Sequence, residues 1–433
     1  MPRDAVPAVS GLDVAALRAA FPALGDGVAH FDGPGGSLTP RPVAEAVAAV
    51  LMSATANPGP TAAAERAEAI VTGARRAVAD LLAAEAGGVV FGRSMTQLTY
   101  DLSRALAKQW GPGDEIVVTR LDHDANVRPW VQAAAAAVAT VRWAPFDRRT
   151  GDLPACAVTE LLGPGTRLVA CTAASNLLGT RPDLPAIARA VHGVGALLYV
   201  DGVHLTPHAA VDVGALGADF YVCSPYKFFG PHCGVLAASP ELLATIHPDK
   251  LLPATEAVPG RFEPGPTAFE LLAGVTAAVR FIADLGGGDD GAGPGSGGGG
   301  ARSGGAAVGG GGAGGGLRPR VLAGMVAIER HEEAVCRRLE ARLDELPGVV
   351  RHGRAPSRTP TLLLTVEGCG PAEAATRLAA EGVNTQAGTF YAVEAARWMG
   401  LGDEGGLRVG LAPYTAHEDL DRLVDGLARI ARA

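Results

Sequence analysis

Short apolar runs alternate with segments of helical periodicity along most of the 433-residue chain. Leu98, Leu102 and Leu106 repeat at four-residue spacing and predict a helix that begins after a small polar turn. The apolar runs have the length of buried strands and are bounded by turn-forming residues. They lie at residues 88–91, 115–119, 168–172, 196–200, 219–223 and 234–238. Strands of this kind separated by helices are typical of an α/β protein.

The last third of the chain has longer helical segments and fewer strands. Residues 269–279 predict one helix, and residues 321–346 predict a long amphipathic helix with glutamate and arginine on its outer face. Strands are predicted at 361–365 and 407–410, and a final helix is predicted at 417–432. This pattern indicates a second, smaller domain of mixed helices and strands.

Residues 286–316 interrupt the chain with a segment that is almost entirely glycine, with some alanine, serine and aspartate. Such a segment cannot bury enough apolar surface to offset the conformational entropy lost on folding. We therefore expect a disordered insertion on the surface, between the two helices that flank it.

The composition predicts a soluble cytoplasmic enzyme. A formal net charge of −8 and the lack of a basic stripe argue against nucleic acid as a partner. No charge-free apolar run of about 18 residues predicts a membrane span, and the first residues lack the apolar core of a signal peptide. The six cysteines have no disulfide-framework spacing, which favours a reducing compartment. No paired set of histidines and cysteines predicts a metal site.

Lysine is nearly absent, because Lys108, Lys227 and Lys250 are the only three among 37 basic residues. A chain that uses arginine almost everywhere needs a lysine where an amine must lose its proton and act as a nucleophile. Lys227 lies in a turn between two apolar runs, whereas Lys108 and Lys250 lie in polar surroundings. Lys227 is therefore the candidate for covalent chemistry.

Polar residues follow several of the predicted strands. Asp201 ends one strand and could pair with a protonated ring nitrogen, although an aspartate at this position alone would more often cap a helix. Ser94, Met95 and Thr96 form a turn at a helix start, where free N–H groups and hydroxyls suit a phosphate, although serine and threonine there are often plain caps. The interpretation of Asp201 and of the turn at 94–96 as cofactor-binding groups depends on their occurrence in the same chain as Lys227.

A histidine and an asparagine follow two further predicted strands. His123 follows the strand at 115–119 and could stack on a flat heteroaromatic ring or exchange protons with a substrate carbon. Asn176 follows the strand at 168–172 and could hydrogen-bond a ring hydroxyl. Either residue alone would more often belong to an ordinary turn.

The order of these residues resembles that of class V aminotransferase-fold enzymes that use pyridoxal 5′-phosphate, and in particular the cysteine desulfurase and selenocysteine lyase branch. The motifs that carry the resemblance are His123, Asn176, Asp201-Gly202-x-His204 and Ser224-x-x-Lys227. Four longer segments also match: Phe31–Gly36, Asp122–Trp130, Ser175–Thr180 and Leu407–Thr415. The resemblance covers most of the chain.

The resemblance implies the transferase fold type I of pyridoxal phosphate enzymes. In this fold a large domain has a mostly parallel sheet with helices on both faces, and a smaller α+β domain lies at the C-terminal end. The implied division is a large cofactor-binding domain at 31–285, the insertion at 286–316, and a small domain formed by the N-terminal segment 1–30 and by residues 317–433.

The resemblance also implies roles for single residues. Lys227 would form the internal aldimine, Asp201 would pair with the pyridine nitrogen, and His123 would stack on the ring. Arg408 would bind the substrate carboxylate, for which its planar fork of donors is suited. The remaining implied cofactor-binding residues are Ser94, Met95, Thr96, Asn176, His204, Ser224 and Tyr226.

Four positions depart from the desulfurase pattern. Tyr391, in the segment 382–392, stands where desulfurases carry the cysteine that attacks the substrate sulfur, and a phenol cannot form a persulfide. His204 stands where desulfurases usually have glutamine, and Tyr226 replaces a histidine. A proline takes the place of the threonine that relatives lend to the neighbouring subunit of a homodimer, and Thr267, one position along, is a candidate to replace it.

Three functions are compatible with these residues. The first is a desulfurase-like enzyme that eliminates at the carbon–sulfur bond of a small α-amino acid without a loop persulfide. The second is an epimerase or aminotransferase in which His204 and Tyr391 act as acid and base. The third is a catalytically silent scaffold, against which the joint presence of Lys227, Asp201 and Arg408 argues. Cys223 and Cys233 flank Lys227 and are the alternative sulfur carriers.

Overall fold

The computed structural model describes residues 11–57, 59–286 and 316–432. The predicted insertion, except for its end residues Gly286 and Gly316, lies outside the described residues. The helices of the described part are α1 (Val14–Ala19), α2 (Arg41–Leu51), α3 (Ala62–Leu82), α4 (Met95–Ala107), α5 (Arg128–Ala136), α6 (Ala155–Thr159), α7 (Leu184–Gly193), α8 (Val213–Leu216), α9 (Pro240–Ala244), α10 (Phe269–Asp284), α11 (Leu317–Asp344), α12 (Pro371–Ala380), α13 (Val393–Trp398) and α14 (His417–Ala431).

The strands of the same residues form three sheets. They are β1 (Ala29–His30), β2 (Val89–Gly92), β3 (Glu115–Thr119), β4 (Thr140–Ala144), β5 (Thr166–Thr172), β6 (Leu197–Asp201), β7 (Phe220–Cys223), β8 (Gly234–Ala238), β9 (Val349–His352), β10 (Thr361–Val366), β11 (Val383–Asn384), β12 (Gln386–Gly388) and β13 (Gly406–Gly410). The predicted strands of the sequence analysis all occur, with ends that differ by only a few residues.

The largest sheet has seven strands in the order β2-β8-β7-β6-β5-β3-β4. All neighbouring pairs are parallel except the two that involve β8, which runs against β2 and β7. Its central strands are mostly buried, with Arg167 of β5 exposed, because separate apolar clusters cover the two faces. The carboxyl ends of the parallel strands therefore meet at one edge, where the polar residues predicted to form the site follow them.

A smaller four-stranded antiparallel sheet, in the order β12-β13-β10-β9, packs with α12 and α14 around its own apolar cluster. The short strand β1 pairs in parallel with β11, with Ala29 opposite Val383 and His30 opposite Asn384, although the two strands lie far apart in the sequence. This pairing attaches the beginning of the described chain to its C-terminal part. We propose on this basis that the predicted division into a large domain and a two-part small domain is correct.

Helix α11 joins the two apolar cores. Val321, Met325 and Ile328 in its first half belong to the large cluster beside the seven-stranded sheet. Leu339 and Leu343 in its second half belong to the cluster of the small sheet. Helix α11 thus fixes the small sheet against the edge where the large sheet presents its polar residues.

No helix among the described residues is both long enough and apolar enough to cross a bilayer.

Candidate active site

A cavity of about 500 Å³ lies at the carboxyl ends of the central strands. Ten residues that the sequence predicted for the site line it together: Ser94, Met95, Thr96, His123, Asn176, Asp201, His204, Ser224, Tyr226 and Lys227. Arg408 and Tyr391 do not line this cavity but contact residues that do. Thr267 is exposed and lies outside it. The structure therefore brings the predicted cofactor-binding residues to one place.

Lys227 is held in a short 3₁₀ turn, Pro225–Lys227, that follows β7 directly. Its Nζ donates a hydrogen bond to the carbonyl oxygen of Pro34, at the other end of the chain. Burial lowers the pKa of the Lys227 amine to about 7, and the nearby Arg408 charge lowers it further than Asp201 raises it. At neutral pH a large fraction of this amine is consequently unprotonated, as a nucleophile requires.

Asp201 ends β6, and one of its carboxylate oxygens accepts a hydrogen bond of 2.9 Å from the Val203 N–H. Burial raises the pKa of Asp201 to about 6, against the lowering effects of that hydrogen bond and of Lys227. The next residue must be glycine, because a Cβ at Gly202 would lie 1.9 Å from the Tyr221 ring. This close turn directs a carboxylate into the cavity, where a protonated ring nitrogen would favour its charged form.

His123 follows β3, and its Nδ1 accepts a hydrogen bond of 3.0 Å from the Ala125 N–H. Burial lowers the pKa of His123 to about 4, with further lowering by Lys227 and Arg408. The ring is therefore neutral at ordinary pH. A neutral, flat ring fixed at the wall of the cavity is suited to stacking on a heteroaromatic ligand.

The sequence analysis missed Asp122, the buried residue before His123. Its carboxylate accepts hydrogen bonds from the Thr119 hydroxyl and, at 2.6 Å, from the Asn126 amide. Asn126 in turn accepts from the Trp130 indole at 3.1 Å. Burial raises the pKa of Asp122 to about 8. This network fixes the turn that carries His123, and the signal was available, because Asp122 follows its strand closely, as Asp201 ends its own.

The turn before α4 has the features of an anion site. Ser94 is the N-cap of this 13-residue helix, and its hydroxyl accepts from the Gln97 N–H at 3.1 Å. The first N–H groups of a helix have no partner within the helix, and they point toward a ligand at its end. Strand β8 approaches so closely that a Cβ at Gly234 would lie 2.3 Å from the Ser94 carbonyl carbon. Met95 and Thr96, which follow in the first turn, also line the cavity.

The side-chain amide nitrogen of Asn176 is already hydrogen-bonded within the protein, whereas its side-chain oxygen is not. Its amide nitrogen donates to the Phe390 carbonyl at 2.9 Å, and its backbone carbonyl accepts from Arg408 at 3.1 Å. Its Oδ1 is buried and has no partner among the described residues. If Asn176 binds a ring hydroxyl, as predicted, the oxygen available for it is therefore this acceptor and not the amide donor.

Arg408 lies on β13 of the small sheet and is buried beside the cavity. Its guanidinium lies 3.8 Å from the centre of the Phe390 ring, and it donates to Gln386 at 3.4 Å. Burial lowers the pKa of Arg408 to about 9. The group stays charged at neutral pH, and the hydrogen bonds it makes to Asn176 and Gln386 leave further N–H donors for a carboxylate.

Tyr391 lies at the mouth of the site with 73% of its surface exposed. Phe390 and Tyr391 both have left-handed backbone conformations, with φ of 54° and 59°. The Asp124 N–H holds the Tyr391 carbonyl at 2.7 Å, and the Tyr391 ring centre lies 5.4 Å from that of His123. Its predicted role as an acid or base stays a prediction.

His204 is buried in the wall of the cavity, and its Nε2 is 3.0 Å from the Thr361 hydroxyl of β10. Burial is the main cause that brings the pKa of His204 well below its ordinary value, and His208 adds to it. Tyr226, also in the cavity wall, stacks on His232 with ring centres 4.7 Å apart. The small sheet thus contacts the wall of the site through Thr361, which faces His204, and through Arg408, which donates to the Asn176 carbonyl.

The residues present fit pyridoxal phosphate. The cavity combines an amine of lowered pKa, a carboxylate, a neutral ring, an amide oxygen without a partner and the N-terminus of α4. These groups match the aldehyde, the pyridine nitrogen, the ring face, the hydroxyl and the phosphate of that molecule. Each of these five groups therefore has a chemical counterpart on the cofactor.

Comparison with known proteins agrees with this assignment. The chain matches the family described as "Aminotransferase class-V" over residues 29–288 and 312–423. It is 34% identical over 421 residues to an uncharacterized protein of Mycobacterium tuberculosis, covering 96% of this chain and 99% of that protein. It is 32% identical over 379 residues to an aminotransferase-like protein of Gibberella zeae, covering 84% and 83% of the two chains.

Among solved structures, the cysteine desulfurase CsdA of Escherichia coli superposes with a TM-score of 0.80 at 26% identity, covering 98% of this chain and 99% of that chain. These matches confirm the predicted family, fold type and cofactor. The chain belongs to the class-V aminotransferase family and is a pyridoxal phosphate-dependent enzyme of the cysteine desulfurase-like type.

Proposed function

We propose that the cofactor is bound by the residues that line the cavity. Lys227 carries it covalently, Asp201 faces its ring nitrogen and His123 covers one face of its ring. The first turn of α4, from Ser94 through Met95 to Thr96, binds its phosphate. The cavity geometry and the lowered pKa of Lys227 support these roles. When bound, the cofactor accepts electrons from the α-carbon of an amino acid.

Three other residues complete the proposed cofactor site. Asn176 Oδ1 accepts from the ring hydroxyl, and it is the side-chain polar atom of Asn176 that has no partner among the described residues. Ser224 is buried immediately before the turn that carries Lys227, which places its hydroxyl at the cavity wall. Tyr226, stacked on His232, presents its ring to the same cavity.

We propose that the enzyme acts on a small α-amino acid by elimination at a carbon–sulfur bond. The observation that carries this proposal is the placement of Arg408 beside the cavity of Lys227, where it can bind the substrate carboxylate bidentately. His204 and Tyr391 are the groups proposed to hold and move protons. The fragment that leaves is released directly, because the segment 382–392 contains no thiol.

The two cysteines nearest to Lys227 do not offer a substitute nucleophile. Cys223 and Cys233 are both buried, and neither lines the cavity. Burial raises the pKa of the Cys233 thiol to about 12 and raises that of Cys223 as well. Because the thiolate is the reactive form, this burial and the raised pKa values argue against either cysteine as the sulfur carrier.

A persulfide experiment follows from these positions. After incubation with L-cysteine, mass spectrometry is expected to find no persulfide on the wild-type protein. Tyr391→Cys, which places a thiol where desulfurases have one, is expected to gain a persulfide on that residue alone. A persulfide on Cys223 or Cys233 of the wild-type protein would contradict the proposal and restore a relocated sulfur carrier.

The pH dependence of cofactor attachment provides a second prediction. Because burial lowers the pKa of Lys227 to about 7, the neutral amine is fully present only above that pH and is lost as the pH falls through it. The rate at which the apoprotein binds pyridoxal phosphate covalently, followed by absorbance, is therefore expected to rise between about pH 6 and pH 8 and then level off. A rate that keeps rising to about pH 10 would indicate an ordinary lysine.

A second candidate function is an epimerase or aminotransferase. It is favoured by the lack of a thiol in the segment 382–392 and by the two candidate acid–base groups, His204 and Tyr391. The silent scaffold is set aside, because the family consists of pyridoxal phosphate enzymes and Lys227 lies in the cavity. Incubation with each of the twenty amino acids and with common sulfur derivatives separates the remaining candidates. Elimination from cysteine releases sulfide, pyruvate and ammonia, epimerisation gives the other enantiomer, and transamination needs a keto acid.

We further propose that the working unit is a cytoplasmic homodimer in which Thr267 lies near the neighbouring site. Thr267 is exposed in the segment before α10, as a residue that serves a partner subunit must be in a single chain. The exposed apolar side chains Met52 and Leu252 give the surface area that association could bury. The six free cysteines are compatible with a reducing compartment.

A further inference from the structure

Behind the proposed cofactor site lie three buried ionisable residues that no step described so far requires together. His204 is 2% exposed, His208 is 7% exposed and Glu332 is 1% exposed. The rings of His204 and His208 meet edge to face with their centres 5.1 Å apart. His208 Nδ1 lies 2.8 Å from a carboxylate oxygen of Glu332, which comes from α11. The three side chains therefore form a continuous row.

Each end of this row has a buried polar atom without a partner among the described residues. These atoms are Nδ1 of His204 and Oε1 of Glu332. Buried polar atoms are normally hydrogen-bonded, and an exception marks a place where water or a reacting group is bound. Nδ1 of His204 and Oε1 of Glu332 are therefore two atoms of one row that are available to bind a proton.

The row also connects two cavities. His204 lines the proposed cofactor cavity, whereas His208 and Glu332 line a second cavity of about 630 Å³. The second cavity includes exposed residues such as Glu333 and Arg337, so that it is open to water. Lys227 does not line it. Water in the second cavity can thus reach the pair formed by His208 and Glu332 without passing through the substrate's place.

We propose that His208 and Glu332 pass protons between water in the second cavity and His204. The inference rests on the acid–base role proposed for His204. His208 and Glu332 touch neither substrate nor cofactor, so they are positioning residues that act through His204. The imidazole and the carboxyl group can hold one proton between them, either on Glu332 or as an imidazolium–carboxylate pair, and both forms are neutral overall.

A proton that moves toward the cofactor cavity leaves the pair, directly or through one water, and bonds to the lone pair of His204 Nδ1. His204 then gives the proton on its Nε2 to the Thr361 hydroxyl, 3.0 Å away, which releases its own proton toward the cofactor cavity, so that both groups are neutral again. The pair takes up a proton from water in the second cavity, and transfer in the reverse direction restores the first tautomer of His204.

The charges around the row keep the lifetime of a proton on His204 short. Burial, His208, Lys227 and Arg408 all act to lower the pKa of His204. Burial raises the pKa of Glu332, which His208 opposes and Glu329 assists. The proton is therefore held mainly by the pair and stays on His204 only briefly, as an intermediate carrier requires.

A pH-jump experiment on the holoenzyme tests the route without a substrate. The absorbance of the bound cofactor is followed by stopped flow after the jump, in the wild type and in Glu332→Gln, Glu332→Ala and His208→Gln. Relaxation is expected to be slower in all three variants by about tenfold or more. Glu333→Ala removes an exposed carboxylate from the same cavity and is expected to relax at the wild-type rate.

Formate provides the decisive comparison, because it fits the space that Glu332→Ala opens and can carry a proton there. It is expected to restore fast relaxation in Glu332→Ala but not in Glu332→Gln, where the side chain still fills the space. Wild-type relaxation in folded Glu332→Gln and Glu332→Ala would overturn the proposal, as would a slow relaxation that formate leaves unchanged. Because no substrate is added, these outcomes do not depend on whether the enzyme eliminates at a carbon–sulfur bond.

Discussion

Lys227→Ala is expected to lose all covalent attachment of pyridoxal phosphate and to lower kcat by about a thousandfold or more, because neither of the other two lysines lines the cavity. Lys108 is an exposed residue that donates to Asp249 at 2.7 Å, and Lys250 pairs with Glu256 at 2.7 Å. Both lie outside the cavity. The chain has only these three lysines, so attachment can be assigned without ambiguity.

Borohydride reduction of the holoenzyme followed by peptide mapping is the direct measurement. The wild type should give one labelled peptide that contains Lys227, and Lys227→Ala should give none. Lys108→Ala and Lys250→Ala are the matched controls and should keep both the label and the activity. A label on either of those two lysines in the wild type would refute the assignment of Lys227.

Most of the large sheet could be predicted because its strands are buried on both faces. A buried parallel strand is a continuous apolar run, and the run ends where a polar or turn-forming residue appears. The edge strand β4 was not predicted, because it is only partly buried. In Thr140–Ala144 exposed and partly buried positions alternate, and Arg142 interrupts the apolar residues. A half-exposed edge strand of five residues is difficult to distinguish from a loop by pattern alone.

The cavity itself could be predicted because its residues follow consecutive strands. Asp201 ends β6, His123 and Asn176 lie a short turn beyond the ends of β3 and β5, and these three strands are neighbours in the sheet. Because these strands are neighbours, the positions of the three residues at strand ends indicated that their side chains lie close together. The resemblance to a family added the roles, which the order alone could not give.

Contacts between distant parts of the chain could not be predicted. His208 and Glu332 are 124 positions apart, and nothing near either residue indicates the other. The same is true of Asn176, whose amide binds a carbonyl 214 positions away at Phe390. Such pairs depend on how the small sheet docks on the large one, and periodicity within one segment has no information about that docking.

The second large effect is expected at Arg408. The side chain is buried on β13, and its guanidinium is positioned by the Asn176 carbonyl, the Gln386 amide oxygen and the Phe390 ring. These contacts hold the planar group in one orientation. A carboxylate that binds it makes charge-assisted hydrogen bonds, each of which contributes about 1.5–3 kcal/mol. Arg408→Ala is therefore expected to weaken amino-acid binding by a factor of about 100 or more.

Comparing L-cysteine with cysteamine, which lacks only the carboxylate, isolates this interaction. Binding is measured from the change in cofactor absorbance, and the wild type is expected to prefer L-cysteine strongly. Arg408→Ala should lose that preference while it still binds the cofactor, and cysteamine should bind both proteins alike. Arg408→Lys should recover only part of the preference, because an ammonium group restores the charge but not the planar fork of donors. An unchanged preference in Arg408→Ala would mean that another group binds the substrate carboxylate.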